Sequence, residues 1–189
     1  ILQHIGASET AVEGIFFPDT YYFIKGSSDL DILQRAYKTM QNHLQNYWSE
    51  RVESLPLNTP YEALILASII EKETGAESDR AEIAGVFINR LRKGMKLQTD
   101  PTVIYGLGEQ FDGNLRKKDL LADQEYNTYT RAGLPPTPIS LPSLASIRAA
   151  LTPAETDALY FVAKGNGESE FSTNLADHNK AVNKYQKQQ

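Results

Sequence analysis

Cysteine is absent from this chain, and with it go disulfides, thiolate metal sites and cysteine nucleophiles. Histidine is scarce: His4, His43 and His178 are far apart, with neither metal-ligand spacing nor the makings of a Ser-His-Asp triad. A metal site is therefore not expected, and no cofactor is implied. Positive charge is also lacking. The formal net charge of −5 argues against a nucleic-acid partner, because phosphate binding needs a basic surface. Local basic clusters at Arg90–Lys96 and Arg116–Lys118 fit solvated helix ends. Long apolar runs are missing as well. The longest, Ala63 to Ile70, is far too short to span a bilayer. No Gly-rich phosphate loop precedes a helix, and no repeat or low-complexity segment is present.

What remains is ordinary for a globular domain: 189 residues, 41% hydrophobic and 23% charged, enough to bury a sizeable core. The chain starts at Ile1 without an initiator methionine. The expectation is a fragment whose N-terminal anchor or targeting segment has been removed.

The most informative stretch is Asn58 to Gly75. Thr59 is a fitting N-cap, Pro60 suits the first helical position, Glu62 completes a capping box, and Gly75 supplies a stop. Leu64, Ile65, Leu66, Ile69 and Ile70 make this helix apolar nearly all round, so it belongs inside the domain. Its last turn carries two carboxylates, Glu71 and Glu73. At about 100° per residue, Glu73 follows the line of Leu66, Ile69 and Ile70, while Glu71 lies nearly opposite, with Leu64, Ala67 and Ser68. A carboxyl on a dry apolar face holds its proton more tightly, which is the environment of a general acid. Solvated last-turn glutamates are nevertheless the commoner case, and the helix pattern by itself favours that reading of both.

Elsewhere, Tyr21–Ile24 reads as a short strand, and a helix capped by Ser28 or Asp29 runs to about Arg51. A further helix opens at Ser78-Asp79 and stops at Gly94. Lys96 to Gly108 has a β-prone segment with turn residues, followed by a loop to Arg131. Ala132 to Pro142, with its four prolines, is an extended connector. A helix capped by Ser140 or Ser143 reaches Leu151. Ala158–Ala163 and Ser169–Thr173 form a hairpin around Gly165-Asn166-Gly167, and a last helix runs from Leu175 to about Lys187. The fold expected is α+β, helix-rich with a small sheet, as a single domain over residues 1–189.

Polar and aromatic clusters in the loops, Gln98-Thr99-Asp100-Pro101-Thr102 and Tyr126-Asn127-Thr128-Tyr129, suit a sugar groove, where rings stack on pyranose faces and amides meet hydroxyls. Half-buried packing remains the commoner use of a tyrosine. Asn89 is ambiguous between cleft and scaffold, and Arg90 could simply pair with Glu71.

The ordered motifs Glu13-Gly14, Phe17-Pro18-Asp19-Thr20-Tyr21, Ala67–Thr74, Val86–Leu91, Leu97–Gly106, Tyr126–Tyr129 with Gly133–Pro136, Tyr160–Val162, Phe171–Thr173 and His178-Asn179 resemble the YceG-like (MltG) family of endolytic murein transglycosylases. The resemblance covers nearly the whole chain. It implies a peptidoglycan-cleaving domain facing the periplasm, tethered to the inner membrane by an N-terminal helix and preceded by a LysM-like region, both outside this chain. The family's catalytic glutamate falls on Glu73. The family implies glycan strands as the substrate, with peptidoglycan synthases as partners. Asn89, Gln98, Asp100, Asn127 and Tyr129 are the expected substrate-binding residues, with Glu71 in support. Two departures stand out: Thr137 where the family commonly has Gly, and Ser169 where it often has His. A hydrolytic muramidase using Asp100 or Glu71, and a non-catalytic glycan-binding scaffold, are the alternatives.

Overall fold

A computed structural model describes residues 1–186. In chain order the elements are α1 (Leu2–Ile5), α2 (Asp29–Ser49), α3 (Pro60–Glu73), α4 (Glu77–Arg92), α5 (Asp100–Leu107), a 3-10 turn (Gly108–Gln110), α6 (Lys117–Leu121), α7 (Leu144–Leu151), β1 (Tyr160–Ala163), β2 (Ser169–Ser172) and α8 (Leu175–Tyr185). The expected helix-rich α+β fold is what the chain forms. Its sheet is one antiparallel hairpin, with Tyr160 opposite Ser172 and Ala163 opposite Ser169. None of these helices is long and apolar enough to cross a membrane.

Helix α3 is the axis of the core. Every residue from Ala63 to Ile70 is buried, which is why its composition is apolar all round. Met40 and Leu44 of α2, Ile83 and Phe87 of α4, and Ile147 and Leu151 of α7 complete the same cluster. The small residues of α3 let other segments approach closely. Ser68 Oγ accepts from the Ile139 N–H at 2.9 Å, and the Ser140 hydroxyl donates to the Ser68 carbonyl at 2.9 Å. These bonds bind the proline connector to the buried helix. Gly14 lies beneath that connector at φ 80°, where an added Cβ would stand 2.3 Å from Pro138 Cβ.

Both ends of α3 differ in detail from the sequence expectation. Thr59 Oγ1 accepts from the Glu62 N–H at 3.2 Å, but the Glu62 carboxylate accepts from Asn58, not from Thr59. Gly75 is not left-handed; the helix stops because Thr74 turns extended at φ −144°, and its hydroxyl accepts from the Ala76 N–H at 2.9 Å. Glycine does end α4: Gly94 takes φ 63°, with Met95 N–H returning to the Arg90 carbonyl.

Two larger expectations fail. Tyr21–Ile24 is irregular and exposed from Tyr22 on, because the hairpin is the only described sheet and gives it no partner strand. The Tyr21 hydroxyl and the Tyr22 carbonyl are instead bonded to Phe17 and Arg35. The supposed β-prone and loop segment after Lys96 contains α5 and α6. Pro101 sits at the start of α5, and Thr102 and Val103 are buried, so helix packing overrides the β-branched composition. Lys187 lies outside the described residues.

Candidate active site

The end of α3 opens onto a cleft of about 450 Å³. Its walls come from α4 (Phe87, Arg90), from Leu97, Gln98 and Asp100, from Tyr129, and from the hairpin and α8. Glu73 is in this wall; Glu71, two residues earlier, is not. The helical geometry that separates the two side chains therefore sends them to opposite tasks.

Glu71 Oε2 accepts from the Ser143 N–H at 2.9 Å, the Ser143 hydroxyl at 2.6 Å and the Ser146 hydroxyl at 2.6 Å. Ser143 is the N-cap of α7, so the carboxylate also meets the positive end of that helix. Burial opposes its charge, but the bonds from Ser143 and Ser146 and the field of Arg80 outweigh it, and the pKa is lowered. The expected Arg90 partnership does not form. A lowered folded pKa means stability that is present above the ordinary carboxylate range and disappears as pH falls through the folded value. Replacing Glu71 with Gln should cost on the order of 1–2 kcal/mol at neutral pH, given its partial exposure. Urea unfolding should show the gap to the parent protein closing in acid. A well-folded variant with no stability loss but no glycan cleavage would place Glu71 in the chemistry instead.

Glu73 shifts the other way. Burial raises its pKa most, the Thr99 hydroxyl bond pulls it down, and the charge of Asp100 raises it again. Thr99 Oγ1 donates to Glu73 Oε1. Behind it, Thr99 N–H donates to Thr128 Oγ1 at 3.1 Å and Thr102 Oγ1 donates to the Thr99 carbonyl at 2.8 Å, all three threonines being buried. Beside Thr99, Gln98 adopts φ 53°, the one left-handed non-glycine among the described residues. Such a conformation costs about 1–3 kcal/mol and persists only where surroundings enforce it. Here the enforcement comes from Arg90, whose Nη1 donates to the Lys96 and Leu97 carbonyls at 3.0 and 2.9 Å and to Gln98 Oε1 at 3.2 Å. Tyr129 Oη donates to Asp100 Oδ1 at 2.5 Å, and burial followed by that bond raises the phenol's pKa, keeping it a donor.

Of the residues expected in the groove, Glu73, Gln98, Asp100 and Tyr129 converge on this cleft. Asn89 and Asn127 do not. The Asn89 amide donates to the Thr156 and Ala158 carbonyls at 2.6 and 3.1 Å, fastening α4 to the approach to β1. Asn127 is 0% exposed, and its amide donates to the carbonyls of Asp119, Leu120 and Ala122. Both are scaffold residues. Sequence reasoning gave no role to Thr99, nor to the stack in which Arg90 lies 5.0 Å over the Tyr160 ring and Tyr160 lies 5.1 Å from His178. The segment around Thr99 reads as β-prone with turn residues, so nothing in it signals a helix start or a hydroxyl bonded to Glu73. Of the two departures from the family pattern, Thr137 shares a 2.8 Å bond with the Tyr126 hydroxyl, and Ser169 lines the cleft.

A helix-rich α+β domain with a half-buried carboxyl of raised pKa in an aromatic-walled cleft is thus the class that fold and site define. The YceG-like family model matches residues 2–184, and the chain belongs to that family. It is 45% identical over 175 residues to the endolytic murein transglycosylase of Bacillus subtilis, covering 92% of this chain and 48% of that protein. The endolytic murein transglycosylase of Streptococcus pneumoniae is 33% identical over 177 residues, 90% of this chain and 32% of that protein. A crystal structure of a YceG-like protein from Listeria monocytogenes superposes with a TM-score of 0.77 at 38% identity, covering 94% of this chain and 58% of that one. The chain spans about half or less of the length of the curated relatives it matches.

Proposed function

We propose that this chain is the catalytic domain of a lytic transglycosylase that cuts the MurNAc–GlcNAc β-1,4 bond of peptidoglycan without water, within strands. The observation that carries the reading is Glu73: a carboxyl with a raised pKa at the cleft wall, while its helix neighbour Glu71 is withdrawn into a structural network. Glu73 starts protonated and gives its proton to the glycosidic oxygen as the bond to C1 breaks. The MurNAc C6 hydroxyl then attacks C1 and returns its proton to the Glu73 carboxylate, leaving a 1,6-anhydroMurNAc end. One carboxyl serves both steps because the nucleophile belongs to the substrate. Gln98, Asp100 and Tyr129 bind the sugars, with Tyr129 orienting Asp100. The names of the relatives support the substrate class. In the whole protein this domain works outside the cytoplasmic membrane beside the synthases that make the strands, held there by an N-terminal anchor.

Hydrolysis is the second reading, and Asp100 favours it, since a second carboxyl lines the same cleft. Mass analysis of products from intact glycan strands separates the two. The transglycosylase reading expects fragments one water lighter than hydrolysis products, without reducing ends. Reducing ends would replace it with the muramidase, and binding without any cleavage would favour a scaffold.

A further inference from the structure

Thr99 stands at the N-cap of α5, where a threonine hydroxyl ordinarily accepts a first-turn backbone N–H. It makes no such bond. Its hydroxyl donates to Glu73 Oε1 instead, and at 2% exposure water cannot take its place. The backbone is held on both sides for this purpose: by Thr128 and Thr102 at Thr99 itself, and by the left-handed Gln98 before it, whose N–H donates to the Thr128 carbonyl at 3.1 Å. A cap residue has given up its helix to hold a carboxylate.

We propose that Thr99 is the positioning residue that divides the labour between the two Glu73 oxygens, Oε1 serving as a fixed acceptor and Oε2 carrying the transferable proton to the cleft. This rests on the reading of Glu73 as the acid and base. In the first step the Oε2 proton passes to the glycosidic oxygen, which keeps the electron pair of the broken C1–O bond. In the second, the C6 oxygen bonds to C1 and its proton returns to Oε2. Thr99 keeps its own proton throughout. A hydrogen bond to an ionised oxygen is stronger than one to a neutral acid, so Thr99 favours the charged Glu73 that forms between the steps. Without it Glu73 is a weaker acid and is free to rotate.

The comparison is Thr99→Val, which keeps the shape and loses the hydroxyl, against Thr99→Ser, which keeps the hydroxyl. Each is followed by glycan-cleavage kinetics across pH and by 13C NMR titration of the Glu73 carboxyl. Asp100, Arg90, Tyr129, Tyr160 and His178, the other charged or titratable groups around the cleft, remain in place in both variants. Thr99→Val should lower kcat about 10- to 100-fold with KM changed little, and should move both the Glu73 titration and the alkaline limb of the profile to higher pH. Thr99→Ser should restore all of these. If Thr99→Val does not fold, Thr99→Ala takes its place against Thr99→Ser. An unmoved Glu73 titration, or a serine variant as impaired as the valine, overturns the proposal. Undiminished cleavage by Glu73→Gln would instead overturn the acid-base reading, whatever Thr99 does to the titration.

Discussion

Glu73→Gln should abolish detectable glycan cleavage, with a loss of roughly 10²–10⁴-fold or more, while leaving the protein folded and able to bind strands. Glutamine keeps the shape and can still accept from the Thr99 hydroxyl, so the α3–α5 contact survives. What it removes is the proton that a cleft-wall carboxyl with a raised pKa offers to a leaving group. The parent enzyme should lose activity as pH rises through the elevated Glu73 value, because only the protonated form can begin the reaction. A profile flat from the ordinary carboxylate range to neutral pH, or a glutamine variant that still cuts, would remove Glu73 from the mechanism.

Stability should move the opposite way. A carboxyl whose folded pKa is raised contributes its stability below the unfolded value, and that contribution is lost as pH rises through the folded one. Above the folded Glu73 value the parent protein therefore carries a desolvated charge that the glutamine variant lacks. Thermal unfolding of Glu73→Gln should match or exceed the parent there, with the gap closing as pH falls below that value. Function maintained at a cost in stability is the pattern of an active-site residue.

Much of this was legible from residues alone. The apolar circumference of Ala63–Ile70 marked the buried helix, and helical geometry separated Glu73 from Glu71 before any contact was known. The hairpin, the proline connector and the cap at Ser28 are all local patterns, and local patterns survive translation into structure. Tyr21–Ile24 misled because a β-prone run says nothing about whether a partner strand exists. Asn89 and Asn127 misled for a related reason. An amide suits sugar hydroxyls and backbone carbonyls equally, and which it meets depends on chain segments as far away as Thr156. The Thr99 hydroxyl bond joins residues 26 apart in sequence, and no helical or strand period links the two.

Arg90 makes the same point with more free energy at stake, and its replacement should be the most damaging change to the scaffold. It is 7% exposed, and no carboxylate among the described ion pairs neutralises it. Burial accordingly lowers its pKa. It is held by neutral acceptors: Nε donates to the Leu159 carbonyl at 2.6 Å, while Nη1 serves Lys96, Leu97 and Gln98. One guanidinium thus joins the entry to β1 with the turn that sets Gln98 and Thr99 against Glu73. Arg90→Lys preserves the charge but brings one ammonium to acceptors spread over two segments, leaving some carbonyls buried and unmet. It should cost about 3 kcal/mol in urea unfolding. Because the left-handed Gln98 depends on this clamp, cleavage should fall as well, even under conditions where the variant remains folded. A variant within about 0.5 kcal/mol of the parent, the scale of an ordinary surface change, would show that the threonine network alone can hold the turn.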